Sequence, residues 1–320
     1  MIALLQNAAS QGANLVLFPE TAFTTFFPRH LIADPVQLEA YYEHDDDLPN
    51  SANTKLLFDE AKKLGVDISV GFAERAEDGK GYNTSVYYSA KAGRVIAKYR
   101  KIHLPGTVEP FSNPDAVNQL EKRYFTPGNL GFTAFRTPGL VPDAVTKSTA
   151  TAEPTVGKGD PIMGMMICND RRWAESWRSY GLQGVELVLC GYNTAGFAPD
   201  LWGTRKPMTP AEADADAVFH HKLVMQGNSY MNSCFSISAA KAGLEDGKYD
   251  LISGSCITSP EGKVLAEAKT KDDEVVIATV DLEECRQGME KTFDFGRHRR
   301  TETYGLIGSQ TGVVEPELLP

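Results

Sequence analysis

Apolar residues recur along this chain with two different periods, and those periods lay out its elements before any chemistry is considered. Short apolar runs bounded by Gly, Pro, Asn or Asp read as strands, whereas apolar residues three or four apart read as helices. Residues 2–11 carry the helical spacing and stop at Gly12. The run 13–18 (ANLVLF) is a strand that ends at Pro19-Glu20, since proline cannot continue a ladder. Residues 34–50 are polar, and the acidic run Asp45-Asp46-Asp47 reads as a solvated loop. A helix over 51–64 precedes strands at 66–73, 82–89 and 94–99, which are separated by turns at Asp78-Gly79 and Ala92-Gly93.

Further on, 162–167 (IMGMMI) is a buried strand, and 171–180 is a helix with Trp173, Trp177 and Tyr180 on one face. A strand at 185–190, a loop at 196–210 and a long helix at 211–231 follow, with strands at 233–240, 252–258 and 275–282 completing the pattern. The stretch 137–160 is rich in Pro, Gly, Thr and Ala without any apolar period, which predicts a surface excursion over about 138–160. The tail 293–307 (FDFGRHRRTETYGLI) is too regular in aromatics for a disordered end and reads as a docking arm within 292–320. No internal repeat interrupts the layout. It is that of a layered α/β chain, 1–320, with one core.

Composition narrows the function. With 320 residues and 42% hydrophobic content the chain can bury a large core. A formal charge of −10 argues against nucleic acid or an anionic membrane as partner, while leaving a small anionic substrate open. The five cysteines are odd in number, widely spaced and without a CxxC pair, so neither a zinc site nor a disulfide framework is indicated. No run approaches membrane-spanning length and the N-terminus does not read as a signal peptide, so the expected compartment is the cytoplasm.

Three strand ends carry candidate chemistry. Cys168 closes the 162–167 strand, and Asn169-Asp170 offers a cap for the helix after it. At such an elbow the helix N-terminus favours a thiolate, the nucleophilic form; the plainer reading is a buried free cysteine. Glu20 ends a strand beside an aromatic loop, and is either a solvated charge or a general base. Lys98-Tyr99-Arg100-Lys101 is either an exposed basic tip or a strand end with one lysine turned inward to stabilise an anion. His103 reads as a structural hydrogen-bonder, and His220 with His221 point to different helix faces, against a shared metal.

The motifs FPE at 18–20, YRKIHLP at 99–105, EKRYFTPG at 121–128 and ICND at 167–170, in this order, resemble those of the nitrilase superfamily of carbon–nitrogen hydrolases. The resemblance covers nearly the whole chain and implies a four-layer α-β-β-α sandwich with a Glu-Lys-Cys site. Further stretches are similar to the N-carbamoyl-D-amino acid amidohydrolases: TTFFPR at 24–29, LEKRYF at 120–125, ICNDRRW at 167–173, GYNT at 191–194, FHH at 219–221 and YGLI at 304–307. By that likeness Cys168 is the nucleophile, Glu20 the general base and acid, Lys101 the oxyanion stabiliser and Glu121 a second glutamate that orients the lysine. Asn169, Arg171, Arg172, Asn193 and Thr194 fall where that branch holds its substrate, with the arginines on the carboxylate. No metal or organic cofactor is implied, and the chain is expected to form a homo-oligomer, dimer or tetramer.

Three departures stand out. Gln119 replaces a histidine two residues before the second glutamate, the stretches 138–160 and 197–213 are enlarged, and the family's strand ahead of the 2–11 helix is missing from the sequence, so that Met1 is expected to be an internal start. Two other readings remain open at this point. One is a β-ureidopropionase-like or general amidase activity, and the other a non-catalytic scaffold that keeps the fold.

Overall fold

In the computed structural model, which describes residues 1–141, 159–203 and 207–318, the period-two segments form two large sheets and one separate two-stranded sheet. The first contains β1 (Leu15–Leu17), β2 (Glu43–His44), β3 (Asp67–Arg75), β4 (Gly81–Ser89) and β5 (Arg94–Arg100), in the order β1-β3-β4-β5, with β2 also paired to β3. The chain continues through β6 (Phe135–Arg136), β7 (Ile162–Ile167), β8 (Leu187–Tyr192) and β9 (Phe235–Ala240). A hairpin of β10 (Ala242–Glu245) and β11 (Tyr249–Ile252) then precedes β12 (Cys256–Thr258) and β13 (Val264–Glu267). The second sheet has the order β13-β12-β9-β8-β7-β6. Its parallel pairs β7–β8 and β8–β9 require crossovers, which the helices Ala174–Gly181 and Pro210–Asn232 supply.

Alternation along each strand decides what faces what. Met163, Met165 and Ile167 of β7, with Leu187 and Leu189 of β8, pack with Tyr87, Ile96, Ala97 and Tyr99 between the sheets. The intervening Met166, Val188 and Cys190 meet Trp177, Tyr180 and Met225 of the crossover helices. On the other sheet, Ile68, Val70 and Phe72 lie with Leu5, Leu57, Phe58 and Ala61 from the helices Ile2–Ser10 and Lys55–Leu64. The layers are therefore α-β-β-α. Each fully buried apolar side chain contributes about 1.5–3 kcal/mol, so the three interfaces dominate the fold.

Some elements differ from the sequence expectation. The helix expected over 171–180 begins at Ala174, because Cys168–Arg172 is a 3₁₀ turn. Asp170 is drawn inward to Tyr99 and His103 rather than capping an α-helix. The strand expected at 252–258 is broken at Ser253 and Gly254, both with positive φ. Residues 275–282 form no strand; Val280 and Leu282 pack on the inter-sheet core without joining a ladder, so their apolar pattern serves packing alone. In the tail, Phe293 meets the Tyr230 ring at 5.3 Å and Arg178 lies over Phe295, while Leu306 and Ile307 are exposed. Residues 142–158 of the expected excursion, 204–206 of the 197–213 loop and 319–320 of the arm lie outside the described residues. No described helix is long and apolar enough to cross a membrane.

Candidate active site

The turn after β1 places Glu20 between the two sheets. Gly71 of β3 and Gly191 of β8 flank it: a Cβ on Gly71 would lie 2.9 Å from the Glu20 Cα, and one on Gly191 2.9 Å from the Glu20 nitrogen. Neither position has space for a side chain while the turn stays where it is. Thr21, next in the chain, takes a left-handed φ of 45°, which bends the turn away after the carboxylate.

Lys101 follows β5, with its backbone N–H donating to the Asn83 carbonyl and its own carbonyl accepting from Gly128. Its side chain is fully buried, and Nζ lies 2.7 Å from Glu20 Oε1 and 2.9 and 2.7 Å from the two oxygens of Glu121. Burial alone would lower the lysine pKa, but Glu121 and Glu20 outweigh it and the net direction is upward, so Lys101 stays protonated. Burial pushes Glu121 up to about 7, with Lys101 pulling it down and Glu20 raising it further. Gln119 Nε2 also donates to Glu121 Oε1 at 2.6 Å. Glu20 is held by Asn83 Nδ2 at 2.7 Å and by the Asn193 backbone N–H at 2.9 Å.

Cys168 is buried and adopts a left-handed φ of 49°, a conformation that costs a non-glycine residue about 1–2 kcal/mol. Its thiol donates to the Asn193 carbonyl at 3.7 Å. The peptide groups of Asn193 thus touch both centres, the N–H on Glu20 and the C=O on the thiol. The expectation of a thiolate favoured by a helix N-terminus is corrected. Burial and the Glu20 charge raise the Cys168 pKa above the usual thiol value, and Lys101 and Arg171 oppose them only in part. The resting group is a thiol. Asp170 anchors this elbow to the lysine's strand by accepting from Tyr99 Oη at 2.7 Å, His103 N–H at 2.9 Å and Ile167 N–H at 3.2 Å.

Cys168 lines a pocket whose wall also includes Arg29, Gln119, Asn169, Arg171, Arg172, Asn193, Thr194 and Trp202. All five expected substrate-side residues therefore border one cavity with the cysteine. They differ in how they are engaged. Asn169 donates to the His103 carbonyl at 3.1 Å. The Thr194 backbone carbonyl accepts from Ile252. Asn193 Oδ1 accepts from Arg29 at 2.5 Å. Arg171 is buried and bonded within the protein, whereas Arg172 is exposed over the Trp202 ring and no carboxylate pairs with it among the described residues. Among the described residues no group of His, Cys, Asp and Glu is arranged to hold a metal.

Several contributors escaped the sequence reading. Asn83 lies inside a strand and carries no local signal. Arg29 belongs to the TTFFPR stretch, but nothing local in the sequence points to its buried pair with Glu245 of β10. Asp170 reads in the sequence only as a cap.

A family model described as carbon-nitrogen hydrolase matches residues 1–289. N-carbamoylputrescine amidase from Oryza sativa subsp. japonica is 28% identical over 95% of this chain and 86% of its own length. Citrullinase from Francisella tularensis is 29% identical over 94% of the chain and 88% of its own. The crystal structure of a carbon-nitrogen hydrolase from Helicobacter pylori G27 matches with a TM-score of 0.72 at 21% identity, covering 97% of this chain and 92% of that one, which shows a shared fold.

Proposed function

The chain belongs to the carbon-nitrogen hydrolase family, and from that premise we propose that it hydrolyses the carbamoyl C–N bond of N-carbamoyl-D-amino acids. Relatives named for carbamoyl and ureido compounds support the carbamoyl part of this reading. In the reaction, Glu20 takes the Cys168 proton as sulfur attacks the ureido carbon, and Lys101 stabilises the oxyanion. Glu20 returns the proton to the departing ammonia, leaving a carbamoyl-thioester. It then activates water, and the released carbamate decomposes to amino acid and carbon dioxide. Glu121 keeps the lysine aimed. A raised cysteine pKa suits this route, because the proton moves to Glu20 as the bond forms rather than beforehand.

The observation that carries the substrate class is Arg172. It borders the cysteine's pocket with no carboxylate partner among the described residues, whereas Arg29 is paired to Glu245. An unpaired guanidinium at the entrance favours an acidic substrate over a cationic one such as N-carbamoylputrescine. Arg172→Ala should lower kcat/KM for N-carbamoyl-D-phenylalanine about 10- to 150-fold, the worth of one charged hydrogen bond, and barely change that for the decarboxylated N-carbamoyl amine. An unchanged ratio between the two substrates would transfer the assignment to a general amidase. Faster turnover of the L-enantiomer would remove the D assignment, and no ammonia from any ureido or amide substrate would point to a non-catalytic member of the family.

A further inference from the structure

The neighbour of that arginine is built for another purpose. Arg171 is 1% exposed, and two of its guanidinium nitrogens are already engaged. One Nη donates to the Cys168 carbonyl at 2.6 Å, and Nε donates to His221 Nδ1 at 3.0 Å. The guanidinium lies 4.4 Å over the Tyr192 ring, whose own ring centroid is 4.5 Å from that of His221. Guanidinium can only donate, so Nδ1 of His221 is the acceptor and the ring proton sits on Nε2. Nε2–H then donates to Ser238 Oγ at 3.1 Å, and that hydroxyl donates to the Cys256 carbonyl at 3.2 Å. Burial, with Arg171 beside it, holds His221 well below the usual imidazole pKa, consistent with this neutral ring. A continuous chain of donors thus runs from the carbonyl of Cys168 to β9 and β12.

We propose that Arg171 is a positioning residue for Cys168, locked by neutral His221, and that Arg172 alone of the pair meets the substrate carboxylate. The reading rests on Cys168 as the nucleophile. Cys168 holds a left-handed conformation unfavourable to any residue with a Cβ, and that conformation sets where its carbonyl points. A cation fixed on that carbonyl, and itself fixed by an acceptor on the crossover helix, holds the conformation against relaxation to an extended one. Relaxation would swing Sγ away from Glu20 and from the Asn193 carbonyl. His221, which reads in the sequence as one of two unrelated histidines, becomes the far anchor of the nucleophile.

The test separates positioning from binding. Arg171→Met should lower kcat about a hundredfold, equally for the N-carbamoyl amino acid and its decarboxylated analogue, with KM within about threefold, because misplacement of the reacting atom acts on the chemical step. Iodoacetamide should alkylate Cys168, located by peptide mass spectrometry, about tenfold more slowly in this variant. His221→Leu should lower kcat about tenfold, the loss of one hydrogen bond to a charged group, and His221→Gln should restore it to within about threefold, since its amide can accept from Arg171 and donate to Ser238. A rise in KM confined to the acidic substrate, with wild-type alkylation, would overturn the proposal and return Arg171 to the carboxylate. If Arg171→Met does not fold, the His221 pair decides: wild-type kcat in His221→Leu, or no rescue by glutamine, overturns it. Failure of the underlying reading looks different, as continued turnover in Cys168→Ala.

Discussion

Glu20 and Glu121 each pair with Lys101 on a floor of buried charge closed to solvent, while on the rim of the pocket Arg172 and Trp202 meet each other face to ring in contact with solvent. The floor groups stabilise each other only as a set. Each was desolvated on folding, and the two carboxylates, which repel each other, are tolerable only because Lys101 pairs with both. The rim groups keep solvent contact, so they can change without unfolding the protein. On the proposed mechanism, the reaction type is therefore fixed where charges are buried, and the substrate class is chosen where they are not.

The largest break falls at the sulfur. Cys168→Ala should abolish ammonia release and leave the melting temperature close to that of the wild type, since the side chain is small and its hydrogen bond to the Asn193 carbonyl is weak. Retention of a tenth of the activity would end the nucleophile assignment. Lys101→Met comes next and should strike stability as well as rate. It leaves Glu20 and Glu121 buried without their cation, which should cost about 3–5 kcal/mol in urea unfolding and about 10²–10³ in kcat. A rim substitution such as Arg172→Ala should leave the unfolding midpoint where it was. Equal destabilisation of the two variants would erase the distinction between floor and rim.

A smaller effect tests whether the floor is held by backbone as well as by charge. Gly191→Ala would place a Cβ 2.9 Å from the Glu20 nitrogen and 2.9 Å from the Phe18 carbonyl oxygen, so the turn must move. Overpacking of this kind costs about 1–3 kcal/mol. The expected kinetic result is a fall in kcat of about tenfold or more, with the preference for acidic over decarboxylated substrate unchanged. A shift in that preference instead would mean that Gly191 serves the rim.

The same contrast explains what could be read before the structure. Glu20, Lys101, Glu121 and Cys168 each sit in a short motif at a strand end or turn, and strands announce themselves through their period. That Asn83 would bond Glu20, or Glu245 would neutralise Arg29, depends on contacts 63 and 216 residues apart that no local pattern encodes. The thiolate expectation failed for a related reason: burial and the Glu20 charge, far away in sequence, raise the thiol's pKa, and the helix expected from residue 171 begins only at Ala174. The apolar run at 275–282 misled because packing against the inter-sheet core needs the same residues as pairing in a ladder. Arg171 and Arg172 look equivalent as letters, and only their surroundings separate them.

The subtlest effect concerns Gln119, which touches the floor and the pocket wall at once. Its amide donates to Glu121, a carboxyl raised to about 7 chiefly by burial, and this donor is one of the groups that hold the value down. In the proposed mechanism an ionised Glu121 aims Lys101, so kcat/KM should fall as pH drops through about 7. Gln119→Leu removes the donor and should move this acid limb upward by about one unit, with the plateau rate little changed. Stability runs the other way. A carboxyl whose folded pKa lies above its unfolded value contributes most below the unfolded value, and that contribution is lost as pH rises through the folded one. The protein should thus gain stability from Glu121 between pH 8 and pH 5 while losing activity over the same range, and Gln119→Leu should widen the gap. Melting temperature and kcat/KM measured on the same samples across pH 5–8 give the two curves. An acid limb that does not move in Gln119→Leu would mean that a group other than Glu121 titrates, and that the amide serves only to shape the wall.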